Sequence, residues 1–166
     1  MPLARSATPA PAHESSATTS LRALLAGPVA GVSRSADVGR VILRVVAGLS
    51  LAFAHGIGKI PPSDQFVGMV AGMGLPAPGL LAWLAALTEF GGGVLLALGL
   101  LTRLAALLIT VSMLVAAVLA HAGDPYSTRE PSVLYMAIAL LYLFAGPGRY
   151  SLDAALFRRA RDALSS

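Results

Sequence analysis

Long apolar runs with almost no charge constrain this chain more than any other feature. The clearest run extends from residue 80 to residue 101 and carries a single ionisable residue, Glu89. A helix needs about 20 apolar residues to cross a bilayer, so the run is long enough to span one. Only 12% of the 166 residues are charged, whereas soluble domains carry about 25%. The chain therefore needs lipid as its solvent.

Four apolar segments follow one another, and helices satisfy their own backbone groups in lipid. We therefore predict an all-α fold: a polytopic membrane four-helix bundle over residues 38–150, with a disordered N-terminal tail. The predicted spans are residues 38–60, 78–101, 102–122 and 132–146. The last span is short, and Pro131 suits its first turn. Residues 64–74 are apolar enough for a short interfacial helix between the first two spans.

The two ends of the chain differ from this apolar domain. Residues 1–37 are rich in Ala, Ser, Thr and Pro, so we predict a disordered cytoplasmic tail. Residues 151–166 combine leucines with arginines, which predicts a basic amphipathic segment. Arginines flank both ends of the domain and the turn at Arg103, a bias that predicts cytoplasmic termini. These features predict a multi-pass membrane protein.

Composition also excludes several kinds of chemistry. The net charge of +4 comes mainly from arginines in the tails and at the ends of apolar runs, where they set topology. We therefore predict no nucleic-acid partner. Cysteine is absent from the sequence, which excludes disulfide exchange, thiolate metal sites and cysteine nucleophiles.

Glu89 lies in a stripe of small residues that repeats every fourth position: Ala85, Gly93 and Ala97 flank it. Such a stripe lets a neighbouring helix come close, so Glu89 is predicted to face the bundle and not lipid. A carboxylate at that depth costs roughly 2.5–3.5 kcal/mol on insertion scales. It is therefore expected to have a partner within the protein.

Candidate partners converge when the spans alternate in direction. The helical period places Arg44, His55 and Lys59 on one face of the first span. His55, Lys59, Glu89 and His121 are then expected in the outer half of the bundle, with Arg44 nearer the cytoplasm. Glu89, His55 and His121 are the candidate catalytic residues. The candidate cofactor-binding residues are His55, Lys59, Glu89, His121 and Arg44.

Each of these residues also has a purely structural interpretation. His55 and His121 are at helix ends, where interfacial positions are common, and Lys59 can be a snorkelling anchor. Two histidines and a carboxylate also suit a metal, but the spacing matches no metal-binding pattern. We therefore predict no metal.

The sequence resembles the DoxX family of small four-helix membrane proteins over residues 38–157. The matching stretches are 43–44, 55–59, 74–76, 80–83, 89–92, 100–106 and 146–153. They include Leu43-Arg44, His55-Gly56-Ile57-Gly58-Lys59, Glu89-Phe90-Gly91-Gly92 and Gly146-Pro147-Gly148. The resemblance implies a bacterial inner-membrane protein associated with redox functions, among them thiosulfate:quinone oxidoreductase subunits and oxidative-stress partners.

Three functions stay open on the sequence. The first is a membrane subunit of a quinone-linked redox or oxidative-stress system, with quinone as the candidate cofactor. In that system His55 or His121 would donate protons to the quinone oxygens near neutral pH. The second is a non-enzymatic scaffold that recruits soluble partners through residues 149–161. The third is a small proton or solute conductor. The expected partners are the bilayer and either a redox protein or further copies of the chain.

Overall fold

The computed structural model describes residues 33–165, which form helices and contain no strand. The helices are α1 Arg34–Lys59, α2 Asp64–Gly72, α3 Pro78–Leu98, α4 Thr102–Ala120, α5 Tyr126–Ala145 and α6 Leu152–Ser165. The all-α prediction is therefore confirmed. Most of the predicted tail, residues 1–32, lies outside the described residues. The last part of it, residues 34–37, forms the first turn of α1. Ser33 caps that turn by accepting a hydrogen bond from the amide of Ala36.

Three helices among the described residues, α1, α3 and α4, are long and apolar enough to cross a membrane. The fourth predicted span corresponds to α5, which has 20 residues and packs along α4. It begins earlier than predicted, so Pro131 lies inside the helix rather than in its first turn. Its early turns carry Arg129 and Glu130, which make that end polar. A membrane span over residues 132–146 therefore stays a prediction.

Helices α1 and α3 approach each other at backbone contact. A Cβ atom on Gly93 would lie 2.7 Å from the carbonyl oxygen of Gly48 and 2.9 Å from the amide nitrogen of Ala52. A Cβ atom on Gly56 would collide with the backbone of Phe90. The predicted close approach at the small-residue stripe of α3 is thus confirmed. Its counterpart in α1, which repeats at Gly48, Ala52 and Gly56, was not predicted.

The turn from α3 to α4 is held by a carboxylate from α6. Asp153 Oδ1 accepts from the amide of Leu101 at 2.8 Å, and Oδ2 accepts from the amide of Thr102 at 2.9 Å and from its hydroxyl at 2.8 Å. The first amides of a helix have no partner within the helix, so Asp153 caps α4 from elsewhere in the chain. This contact attaches the start of α6 to the bundle.

The apolar core lies where α1, α3, α4 and α5 meet. Its large members are Leu51, Leu96, Ile109, Met113 and Tyr142. The Tyr142 hydroxyl donates a hydrogen bond to the carbonyl of Arg40, which satisfies the one polar atom of this buried ring. Leu51 and Met113 also border the cavity described below, so the core supports one wall of it.

The contact between α1 and α3 predicts a sharp difference between two glycines of α3, Gly91 and Gly93. Gly93→Ala should lower the unfolding free energy by about 1–3 kcal/mol, the usual cost of overpacking, because the new methyl group meets backbone. Gly91→Ala should be neutral or slightly stabilising, since a Cβ atom there meets nothing within 4 Å. Unfolding of both variants in the same detergent measures the difference. Equal midpoints for the two variants would contradict the packing described here.

Candidate functional site

Glu89 has a charged partner in α1. Lys59 Nζ lies 2.6 Å from Oε1 and 2.5 Å from Oε2 of Glu89, so both carboxylate oxygens share one ammonium group. The Glu89 side chain is 5% exposed and that of Lys59 33%. Lys59 also lies over the ring of Phe66 in α2, with Nζ 5.4 Å from the ring centroid. The ion pair thus joins two spans, and α2 covers it from outside.

A cavity of ≈ 270 Å³ opens beside this ion pair. Its wall includes His55, Lys59, Glu89 and His121. The other lining residues are Leu51, Met113, Ala116, Thr128, Pro131, Ser132 and Tyr135. The structure therefore brings four of the five predicted site residues to one place. Polar side chains of the wall come from α1, α3 and α5, and from His121 directly after α4.

The ring of His55 packs against an aromatic residue of α5, Tyr135. The rings of His55 and Tyr135 have centroids 5.4 Å apart and planes at 75°, an edge-to-face arrangement. Thr128, Ser132 and Tyr135 lie on one face of α5 at helical spacing. That polar stripe is the sequence signal that would have placed Tyr135 in the site.

His121 follows the last turn of α4 and has an acidic neighbour. Its Nδ1 lies 2.7 Å from Asp124 Oδ2, and the two side chains are 31% and 44% exposed. A carboxylate bonded to one ring nitrogen fixes the orientation of the imidazole, so the other ring nitrogen points away from the carboxylate. His121 therefore links the cavity to the surface of the protein. Asp124 was not predicted, although its position three residues after a helix-end histidine is a readable signal.

Three π-helical turns surround the site. They span Leu51–Gly56, Thr88–Gly92 and Ala116–Ala120. The first contains His55, the second contains Glu89, and the third ends just before His121, whose amide donates to the carbonyl of Ala116 at 3.0 Å. Such turns are rare in proteins as a whole but common at functional sites. The extra residue in the turn changes the direction of the side chains around it. The backbone is thus modified on all three candidate spans at the level of the cavity.

Comparison with known proteins identifies the family. The DoxX family model matches residues 39–122, half of the chain. The chain belongs to the DoxX family. The matched region includes His55, Lys59, Glu89 and His121, whereas Asp124 and Tyr135 lie beyond it.

Several DoxX-like relatives cover most of the chain. A Mycobacterium tuberculosis protein named "Uncharacterized membrane protein Rv3486" is 33% identical over 137 residues, 72% of this chain and 82% of its own length. The Escherichia coli "Inner membrane protein YqjF" is 32% identical over 129 residues, 74% of this chain and 95% of its own. The Bacillus subtilis "Putative oxidoreductase CatD" is 26% identical over 132 residues, 79% of this chain and 96% of its own length. No solved structure matches the chain.

Arg44 lies apart from the other predicted site residues of this DoxX protein. It precedes Lys59 by 15 residues, about 22 Å along a helix. Its guanidinium donates from Nη1 to the carbonyl of Pro147 at 2.7 Å and from Nη2 to that of Tyr150 at 2.9 Å. The side chain is buried and is used to hold the connection between α5 and α6. The structure therefore does not support Arg44 as a cofactor ligand of this cavity.

The polar groups that line the cavity are mainly hydrogen-bond donors and acceptors. Within residues 33–165 no three histidine, aspartate or glutamate side chains come together as a metal site would require. The Glu89 carboxylate already accepts from Lys59 on both oxygens. The remaining groups, two imidazoles with hydroxyls of α5, are hydrogen-bond donors and acceptors suited to carbonyl or hydroxyl oxygens.

The ion pair predicts strong coupling between Lys59 and Glu89. In a double-mutant cycle of Lys59→Met and Glu89→Gln, the two changes should interact by about 1–3 kcal/mol of unfolding free energy, as contacting residues do. Removing one partner alone leaves the other unpaired in a poorly solvated place. Chemical denaturation in detergent measures all four proteins.

A second pair supplies the comparison. The cycle of His121→Ala and Asp124→Ala should give less than about 1 kcal/mol, because both side chains are partly solvated. Additive effects of Lys59→Met and Glu89→Gln would mean that the pair does not join α1 to α3.

Proposed function

We propose that this DoxX-family protein is a membrane subunit of a redox system and binds the head group of a quinone in the cavity beside Lys59 and Glu89. The observation that carries the proposal is that an ammonium group, a carboxylate and two imidazoles line one cavity among apolar helices. Ionisable residues in membrane segments generally mark ligand or proton pathways. The Bacillus subtilis relative, whose name describes an oxidoreductase, supports the redox assignment.

The chemistry of the cavity fits a quinone. A bound quinone would carry two electrons and two protons when it is reduced to the quinol, with the electrons coming from a redox partner protein. Lys59 and the protonated form of either histidine can donate hydrogen bonds to its two oxygens. The ring nitrogens of His55 and His121 can pass protons to and from those oxygens. Glu89 would keep the Lys59 ammonium oriented toward the cavity.

The shape of the cavity fits a lipid-soluble ligand with a small head group. Its volume of ≈ 270 Å³ lies just below the usual range for drug-sized ligands. Leu51 and Met113 give it an apolar wall. His55 borders the cavity and is exposed although it lies in a candidate span. A ligand can therefore enter from the lipid, with its apolar tail remaining outside.

We further propose that the protein lies in the bacterial inner membrane with both termini in the cytoplasm. The name of the Escherichia coli relative supports the location. The arginines at Arg34, Arg40, Arg103 and Arg149 lie at the end of the bundle that also holds Arg44, which supports the orientation. With α5 as a fourth span, the cavity lies toward the outer surface. His121 and Asp124 would then exchange protons with the periplasmic side.

Equilibrium binding of a decyl-substituted benzoquinone to the purified protein tests this function. His55→Ala and Glu89→Gln should each weaken binding about tenfold, because each removes or misplaces one hydrogen-bonding group at the ligand. Glu130→Gln makes the same chemical change as Glu89→Gln at an exposed position of α5 outside the cavity wall. It should bind the analogue as the wild type does.

The His55→Ala variant decides the outcome. His55 is exposed and makes no ion pair in the described residues, so its loss should leave the fold intact. An unchanged Kd for both His55→Ala and Glu89→Gln, in protein that is still folded at the assay temperature, would place any quinone site elsewhere. Absence of saturable binding by the wild type would overturn the proposed function itself.

A further inference from the structure

A second groove lies at the opposite end of the bundle from the cavity. It has a volume of ≈ 430 Å³ and runs between the end of α3 and the start of α6. Its lining residues are Ala97, Leu98, Arg149, Tyr150, Ser151, Leu152 and Arg158. One wall is apolar and the other carries two guanidinium groups. Neither the proposed quinone site nor the packing of the core uses this groove.

The apolar wall of the groove lies at the end of a candidate membrane span. α3 ends at Leu98, which is 49% exposed, and Leu152 at the start of α6 is 44% exposed. Farther along α6, Leu156 and Leu164 are also exposed. A basic helix with exposed leucines is typical of a segment that lies in the membrane interface. The groove is therefore at the depth where acyl chains meet head groups.

Hydrogen bonds from side chains hold the backbone that carries the polar wall, between α5 and α6. Arg44 holds the carbonyls of Pro147 and Tyr150, and the Ser151 hydroxyl donates to the carbonyl of Gly148 at 2.9 Å. Arg149 Nε lies 3.9 Å from Oδ2 of the buried Asp37, so one edge of its guanidinium group faces that carboxylate. The exposed side chains of Arg149 and Arg158 both line this wall of the groove.

We propose that this groove binds an anionic phospholipid, with the phosphate between Arg149 and Arg158 and an acyl chain along Leu98. Guanidinium groups match phosphate oxygens in geometry as well as charge. A net negative head group complements the two arginines, whereas the ammonium of a zwitterionic lipid would be repelled by them. The apolar wall adds a requirement for a lipid tail that a free phosphate ion does not meet.

Native mass spectrometry of the detergent-solubilised protein, titrated with phosphatidylglycerol or phosphatidylcholine, tests the proposal. The wild type should retain phosphatidylglycerol and bind phosphatidylcholine at least tenfold more weakly. The attraction of two arginines to an anionic head group is large enough for a difference in affinity of that size. Arg158→Gln should weaken phosphatidylglycerol binding about fivefold, the share of one arginine near a charged surface. Arg158 is exposed, so this variant should fold normally.

Arg159→Gln is the matched control. It removes the same charge from the next position of α6, which is exposed but does not line the groove. It should change phosphatidylglycerol binding less than twofold. Equal losses in the two variants would overturn the proposal, because diffuse surface charge would then explain the binding. Competition by millimolar inorganic phosphate that removes the bound lipid would also overturn it, since the site would then recognise phosphate alone.

Discussion

The ion pair between Lys59 and Glu89 is the interaction on which the candidate site depends. The Glu89 side chain is buried, so its charge would be poorly solvated without the lysine. The pair forms because α1 and α3 touch at backbone distance through Gly48, Ala52 and Gly93. Larger side chains at those positions would separate the helices and move the lysine away from the carboxylate. The small residues of α1 and α3 thus decide whether the Lys59 ammonium reaches the Glu89 carboxylate.

Two buried charged side chains at one end of the bundle bond to the backbone, whereas several ionisable side chains at the other end line a cavity. Arg44 donates to backbone carbonyls and Asp153 accepts from backbone amides, so both side chains tie segments of the chain together. At the other end, the side chains that contact one another are ionisable, and they line a cavity. Histidines that border open volume remain available to a ligand, and this availability is the physical basis for the proposed function.

Much of the fold was readable from the sequence. Apolar length placed three candidate spans to within a few residues, and the period of Ala85, Glu89, Gly93 and Ala97 identified the face that meets α1. The meeting of His55, Lys59, Glu89 and His121 followed from the helical period and from alternating directions. The π-helical turns were not readable, since they depend on how the helices pack. The capping of α4 by Asp153 joins positions about 50 residues apart, and no local pattern predicts such a pairing.

The central claim is that a quinone head group binds between α1 and α5, beside Lys59 and Glu89. Photolabelling with an azido-benzoquinone in native-like lipid, followed by peptide mass spectrometry, tests it most directly. The account predicts labels on peptides that contain His55 or Tyr135, and these labels should disappear when excess unlabelled quinone is present. Labels confined to lipid-facing residues of α4 such as Leu107 and Val111, without competition by unlabelled quinone, would contradict it.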